Sequence, residues 1–255
     1  QQILDRHEIL PTTFSADGDY QQVAPALEIN VPLIEFSHLE LQERQNQVNE
    51  WLSEEAQQTF DFVRGPLLKA VILDLDEQEH ILIITTHHII NDGWSFGVLL
   101  GELKELYEAE CRRVSSQLRQ PRSFSDYARL KAEELQGPEM AQSEAYWLAQ
   151  FAGAVPVLEL PTDHPRPPVR TFSGAQQQVI MQDSLKAECK HLSARQNCTL
   201  FMLLFGAFKL LLHHLTGQKD LIVGIPSAGQ TSTDAGYLIG YCVNLLPIRS
   251  RFAGD

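Results

Sequence analysis

The densest run of side chains able to do chemistry is Thr86-His87-His88-Ile89-Ile90-Asn91-Asp92-Gly93-Trp94-Ser95. Imidazole gains and loses a proton near neutral pH, so a positioned histidine here offers general-base or proton-accepting chemistry. A β-branched, apolar segment leads into the pair, and neighbours on a strand point to opposite faces. One histidine should therefore enter the core while the other faces a cleft. The same geometry argues against both binding one metal ion, which an HxH or HxxxH spacing would serve better. Asp92-Gly93 admits two readings. In one, glycine supplies the turn conformation and Asp92 caps the following helix. In the other the same turn is kept, and an ion pair from Asp92 also fixes the histidine loop.

Other chemistries find less support. Gly224-Ile225-Pro226-Ser227-Ala228-Gly229 has the wrong spacing for a GxSxG nucleophile elbow and a proline where that elbow must turn. Neither GxxxxGK[ST] nor GxGxxG occurs, so no phosphate-cradling loop is read. His213-His214 follows an apolar helical run and precedes Thr216-Gly217, a stop signal. Histidines there complement the helix dipole and are read as structural. Cys111, Cys189, Cys198 and Cys242 form no CxxC pair, and they are read as free thiols.

The elements that must position the histidines follow from periodicity. Leu67 to Leu75 and Ile81 to Thr86 read as strands joined through Asp76-Glu77-Gln78-Glu79, an antiparallel hairpin facing a core. Leu221 to Ile225 reads as a third strand, and Cys242 to Ile248 is strand-like. Helical spacing appears at Leu41 to Thr59 and at Ser95 to Arg112, where Val98, Leu99, Leu103, Leu106 and Tyr107 form an apolar stripe. Phe124 to Leu135 starts from a serine-rich cap (Ser123, Ser125), and Leu200 to Leu215 is apolar enough to be a core helix. Leu160 to Arg170 holds four prolines and reads as an extended crossover between two lobes. The order suggests an α/β or α+β two-layer sandwich, helices against a sheet.

Composition narrows the partners. The 255 residues carry 33 acidic and 20 basic side chains, a formal charge of −13, which disfavours nucleic acid and anionic membrane surfaces. At 44% hydrophobic and 21% charged, a sizeable core is expected. The longest apolar stretch, Leu200 to Leu212, is interrupted by Lys209 and too short to span a bilayer. The opening residues do not read as a secretory signal, and a cytoplasmic location is the expectation. Gln1 at the start and a strand-like run near the end suggest a piece of something larger.

With these residues in view, the sequence resembles the condensation domains of nonribosomal peptide synthetases. His87-His88-Ile89-Ile90-Asn91-Asp92-Gly93-Trp94-Ser95 is similar to their HHxxxDGWS signature. Arg6-His7-Glu8-Ile9-Leu10-Pro11-Thr12-Thr13-Phe14 resembles RHExLRTxF, with Pro11 in place of the usual Arg. Ser125-Asp126-Tyr127-Ala128, Tyr146-Trp147-Leu148 and Leu160-Pro161-Thr162-Asp163 resemble segments that follow in the same order. Ile239-Gly240-Tyr241-Cys242-Val243-Asn244-Leu245-Leu246-Pro247 resembles IGxFVN, with Cys242 in place of the usual aromatic. Gln230 stands where many members have Arg after the GxPxAG turn. Ala-Gly-Gln together with Cys-Val-Asn-Leu-Leu-Pro looks most like members from mixed peptide–polyketide assembly lines.

The resemblance implies two chloramphenicol acetyltransferase-like lobes in a V-shaped domain. Residues 1–165 would be the first lobe, lacking its start, and 166–255 the crossover and the beginning of the second. The implied reaction is amide formation between a donor acyl thioester and the amine of an acceptor aminoacyl thioester. Both would be tethered to the 4'-phosphopantetheine arms of upstream donor and downstream acceptor carrier domains beside an adenylation domain, with no cofactor or metal bound directly. His88 would contact the amine, and the Gly93 backbone N–H would face the developing oxyanion. His87 would turn inward and hold the loop, Asp92 would pair with Arg6, and Trp94 and Ser95 would complete the support. The rivals are an inactive carrier-docking domain, a free-standing acyltransferase and an epimerase relative.

Overall fold

Residues 1–169, 171, 174–232 and 236–253 are described by a computed structural model. In chain order the elements are α1 (Gln2–Arg6), β1 (Thr12–Phe14), β2 (Gln21–Val23), β3 (Leu33–Glu35), α2 (Leu41–Gln57), β4 (Leu68–Asp76), β5 (Glu79–Thr86), α3 (Gly93–Arg112), α4 (Phe124–Leu135), α5 (Pro138–Gln150), α6 (Asp183–Arg195), α7 (Leu200–Thr216), β6 (Asp220–Ser227) and β7 (Asn244–Arg251), with a short 3-10 turn at Gly229–Ser232. The mixture is α/β, as expected. Two compact units divide the chain, Gln1–Met140 with Ser227–Asn244, and Ala141–Pro226 with Leu245–Asp255.

In the first unit the expected hairpin forms. β4 and β5 pair antiparallel from Leu68 opposite Thr86 to Asp76 opposite Glu79, with an irregularity between Asp74 and Asp76. The turn closes because Asp76 Oδ1 accepts the Gln78 and Glu79 amides at 2.8 and 3.0 Å, an aspartate turn the sequence makes available. β3 adds in parallel to β4, and α2 is the crossover such a parallel pair requires. The strand period of two sorts the side chains. Val71, Leu73, Leu75 and Ile83 pack with Val48 and Trp51 of α2. Leu68 and Ile84 face the other way, into a core with Leu4, Leu10, Ile90, Leu99 and Ile239. The core beside the histidine turn therefore draws on α1, the sheet, α3 and the distant segment 227–244.

The second unit holds α6, α7 and the paired strands β6 and β7. Thr199 caps α7 by accepting the Met202 amide, and Gly217 ends it at φ +70°, a left-handed value suited to glycine. His213 fits the structural reading given to it, since its Nδ1 lies 2.7 Å from the Gln218 carbonyl and its ring stacks on Phe252. Arg249 forks onto Asp220 and also donates to the Gln150 and Ala154 carbonyls. The expectation for α7 needs correction. It is not a core helix among the described residues, because only Leu212 is buried and Phe201, Phe208 and Leu211 remain about half exposed. The proline-rich stretch carries neither helix nor strand from 160 to 169, and Arg170 lies outside the described residues. No single described helix is long and apolar enough to cross a membrane.

Candidate active site

β5 ends at Thr86, so His87 and His88 sit on the turn that follows it rather than within the strand. They still part as the sequence suggests. His87 is half-buried, its ring edge-on to Phe62 at 4.6 Å and Phe60 at 5.9 Å. Its Nδ1 accepts the Ile89 amide at 3.1 Å, which leaves the proton of the neutral ring on Nε2 and closes the turn. Burial, then the neighbouring His88, lowers its pKa from the ordinary value. His88 is exposed. Among the described residues its ring nitrogens find no hydrogen-bond partner and its one ring contact is a T-shaped packing with Tyr241, centroids 5.3 Å apart.

Asp92 is 3% exposed and caps α3. Its Oδ1 accepts the Ser95 amide at 2.8 Å, the Ser95 hydroxyl at 2.7 Å and Gln230 Nε2 at 3.2 Å. Its Oδ2 accepts Gln230 Nε2 at 3.0 Å and the Cys242 amide at 3.0 Å. Burial disfavours the charged form, yet the donors from Ser95, Cys242 and Gln230 outweigh it and hold the carboxyl below its usual range. The single Ser95 proton serves either Asp92 or the Gly240 carbonyl at 2.8 Å, and the hydroxyl oxygen accepts the Gly240 amide at 3.0 Å. Trp94 donates its indole N–H to the Gly236 carbonyl at 3.2 Å. The signature loop is thereby tied to residues some 140 positions later.

The expected pair between Asp92 and Arg6 does not form. Arg6 instead forks onto Glu102, at 3.0 and 3.2 Å, and donates to the Arg119 carbonyl. His7 Nε2 also lies 3.0 Å from Glu102. The reason is one of reach. Glu102 lies nine residues beyond Gly93 along α3, about 14 Å at 1.5 Å per residue, and α1 ends against that part of the helix. Glu8 accepts from the Ser123 hydroxyl and the Ser125 amide, so the Arg6-His7-Glu8 triplet braces α3 and the start of α4. Of the two readings given for Asp92, the helix cap is the one found, fixed by neutral donors and without the ion pair.

Sequence reading missed Glu102 and Tyr241, and it passed over Gln230, which stands where the resemblance puts an Arg able to pair with Asp92, in favour of Arg6; Gln230 is the partner found. Glu102 carried a signal, since it stands three residues from Leu99 on the buried side of α3, where a carboxylate needs a cation. Tyr107, placed on that stripe, is instead 70% exposed. Tyr241 carried none, because nothing local marks a residue so far along the chain as the neighbour of His88.

Gly93 opens the 20-residue helix α3, is exposed, and its amide has no partner among the described residues. A Cβ at this position would meet nothing within 4 Å. An unpaired amide at a helix N-terminus is a ready donor to developing negative charge. Five residues earlier on the same loop His88 presents an exposed imidazole, so the loop carries both a group that can accept a proton and one that can donate to an oxyanion. Among the described residues no group of three or more His, Cys, Asp or Glu is placed to hold a metal ion.

The Condensation domain family matches residues 1–255. A linear gramicidin synthase protein of Brevibacillus parabrevis is 38% identical over 256 residues, covering 99% of this chain and 3% of that protein. Surfactin synthase subunit 1 of Bacillus subtilis (strain 168) is 34% identical, covering 98% and 7%. The chain thus spans a small share of these curated relatives. Among solved structures, the SgcC5 protein from Streptomyces globisporus superposes with a TM-score of 0.81 at 26% identity, covering 100% of this chain and 58% of that one. The X-domain from teicoplanin biosynthesis shares the fold, with a TM-score of 0.85 at 22% identity over 99% of this chain and 56% of the other. A sequence match along the whole chain and the same fold in solved structures agree on one assignment. The chain belongs to the condensation domain family.

Proposed function

We propose that this chain carries the acyl-transfer site of an amide-forming domain in nonribosomal peptide biosynthesis. The amine of an acceptor aminoacyl thioester attacks the carbonyl carbon of a donor acyl thioester. The C–N bond forms, the C–S bond breaks, and the proton lost by nitrogen ends on the leaving thiol. Both substrates ride on phosphopantetheine arms of carrier domains, and residues 1–165 and 166–255 supply the first lobe and the start of the second. The observation that carries the reading is the exposed His88, its ring nitrogens free among the described residues, on a loop pinned by Asp92 that ends at the Gly93 amide opening α3.

Magnitudes apportion the roles. An α-amino group has a pKa of about 7.7–8.0, so roughly a tenth is already neutral at pH 7. General-base catalysis contributes about 10²–10⁴-fold, whereas orienting two reactants contributes about 7–11 kcal/mol. Positioning dominates. His88 takes the proton as the tetrahedral intermediate forms and returns it to sulfur, and the Gly93 amide donates to the oxyanion.

The test is intact-protein mass spectrometry of loaded carriers mixed with the intact protein. Loss of the acyl group from the donor carrier with equal gain on the acceptor, and release from the acceptor by hydroxylamine of one acyl-aminoacyl hydroxamate with its amide intact, is the expected result. Acyl transfer to water alone would overturn it in favour of a hydrolase, and no transfer from any carrier pair would overturn it and leave a docking domain.

A further inference from the structure

The His88 ring has no hydrogen bond among the described residues to set its orientation, unlike His87, which the Ile89 amide holds. What touches it is Tyr241, edge to face, with ring centroids 5.3 Å apart and planes at 78°. Tyr241 is itself 48% exposed, so it does not stand there to fill a core. Its backbone is nonetheless fixed, because the next residue, Cys242, is buried and gives its amide to Asp92. The carboxylate that caps α3 therefore also sets where Tyr241 stands.

The same tyrosine lines a cavity of about 470 Å³, together with Tyr127, Lys131, Glu134, Met140 and Asn244. Such a volume lies in the range of small-molecule sites, about 300–1,000 Å³. Its charges cancel, since Lys131 Nζ is 2.7 Å from Glu134 Oε2. Burial pushes the Tyr127 hydroxyl up to about 12 and the Cys242 thiol up to about 11, so neither adds charge at neutral pH. The lining offers hydrogen bonds and apolar surface with no net charge, a single side chain away from His88.

We propose that Tyr241 is a positioning residue that orients the His88 ring, and that the cavity behind it receives the uncharged side chain of the amine-bearing substrate. The inference rests on the condensation reading above. Tyr241 then acts twice, as the wall that holds the imidazole and as the wall that limits the substrate pocket.

The experiment uses the intact protein, an acyl-pantetheine donor, and leucyl-, phenylalanyl-, lysyl- and glutamyl-pantetheine acceptors. Tyr241→Phe keeps the ring and its T-shaped packing and should stay within about twofold of wild type. Tyr241→Ala and Tyr241→Leu should lose about 10–100-fold in kcat, the scale of a misplaced reacting group. Removing the wall should also move the phenylalanyl-to-leucyl ratio of kcat/KM up by about fivefold or more in Tyr241→Ala. Glu134→Gln uncovers Lys131 and should raise the glutamyl-to-leucyl ratio by about fivefold, the effect of one partly exposed charge. Unchanged kcat and unchanged acceptor ratios in Tyr241→Ala would overturn the proposal, as would equal losses in Tyr241→Phe and Tyr241→Ala. An unchanged ratio in Glu134→Gln would overturn the pocket. Wild type that forms no amide with any acceptor would instead overturn the condensation reading itself, so the two failures are distinct.

Discussion

Asp92 holds the loop through five contacts from neutral donors, and that fixes what its replacement should do. Asp92→Ala removes a helix cap, leaves the Cys242 amide unpaired and leaves Gln230 Nε2 only its long 3.4 Å contact to the Ser95 hydroxyl, so a loss of about 2–4 kcal/mol in unfolding free energy is expected. Asp92→Asn should cost less. Gln230 is fully buried with its Oε1 unpartnered, and turning its amide would offer that oxygen to the new Asn Nδ2. Urea titrations of the two variants give the comparison, and equal stability of Asp92→Ala and wild type would contradict the network. Gly93→Ala separates folding from chemistry. A Cβ there meets nothing, so stability should move by less than about 0.5 kcal/mol, while under the proposed role of the Gly93 amide the added methyl crowds the substrate and the rate should fall. Cys242 offers a third check at this scale, because burial raises its thiol to about 11 whereas Cys111 is exposed. Iodoacetamide at pH 8 should label Cys111 and spare Cys242 until denaturant is added.

At the scale of elements, the triplet Arg6-His7-Glu8 makes the first unit sensitive to acid. Burial, only partly offset by Glu102, lowers the His7 pKa, and burial with His88 lowers that of His87. Their folded-state values lie below the unfolded value of 6.5, so the unfolded chain binds more protons and stability falls as pH drops through that value. Glu8, Asp92 and Glu102 are lowered despite burial by their hydrogen-bond donors, and their contribution is lost further down, as pH falls below the carboxylate range. Thermal melts from pH 8 to 4 should show Tm declining from about pH 6.5, with a steeper loss near 4. Glu102→Gln leaves Arg6 without its counter-charge, and its stability at pH 7 should be lower by about 2–4 kcal/mol. A Tm flat across the pH range, or a variant as stable as wild type, would contradict the role given to this cluster. The elements themselves were legible where period and cap agreed: the β4–β5 hairpin has its aspartate turn, and α4 has Ser123 accepting the Asp126 amide. Their partners were not. An ion pair between α1 and α3 depends on which turns of two helices meet, and that is decided by tertiary packing rather than by spacing along the chain. Hence the histidine loop could be read in advance, while Arg6 was assigned to the wrong carboxylate.

For the whole molecule, the acidic balance and the apolar α7 pull in different directions. Phe201, Phe208 and Leu211 are 59, 47 and 52% exposed along one 17-residue helix. Contiguous apolar surface of this kind drives association unless something covers it. The 255 residues produced alone should therefore self-associate with rising concentration, as light scattering behind size exclusion would register, and Phe201→Ser with Phe208→Ser should weaken the association. A monodisperse monomer at high concentration would contradict the exposure described for α7. The charge of −13 limits colloidal aggregation without hiding that face.

Everything proposed for the reaction turns on His88 acting on the amine at a site built by its loop. Single-turnover product formation decides this, followed by mass spectrometry on the intact protein with both carriers loaded, for wild type and His88→Ala. Product from wild type is expected, with a loss of about 10²-fold or more in the variant and an unchanged melting temperature, as suits an exposed side chain. Product undiminished in a folded His88→Ala would contradict that role and leave proximity of the two tethered substrates as the whole of the catalysis.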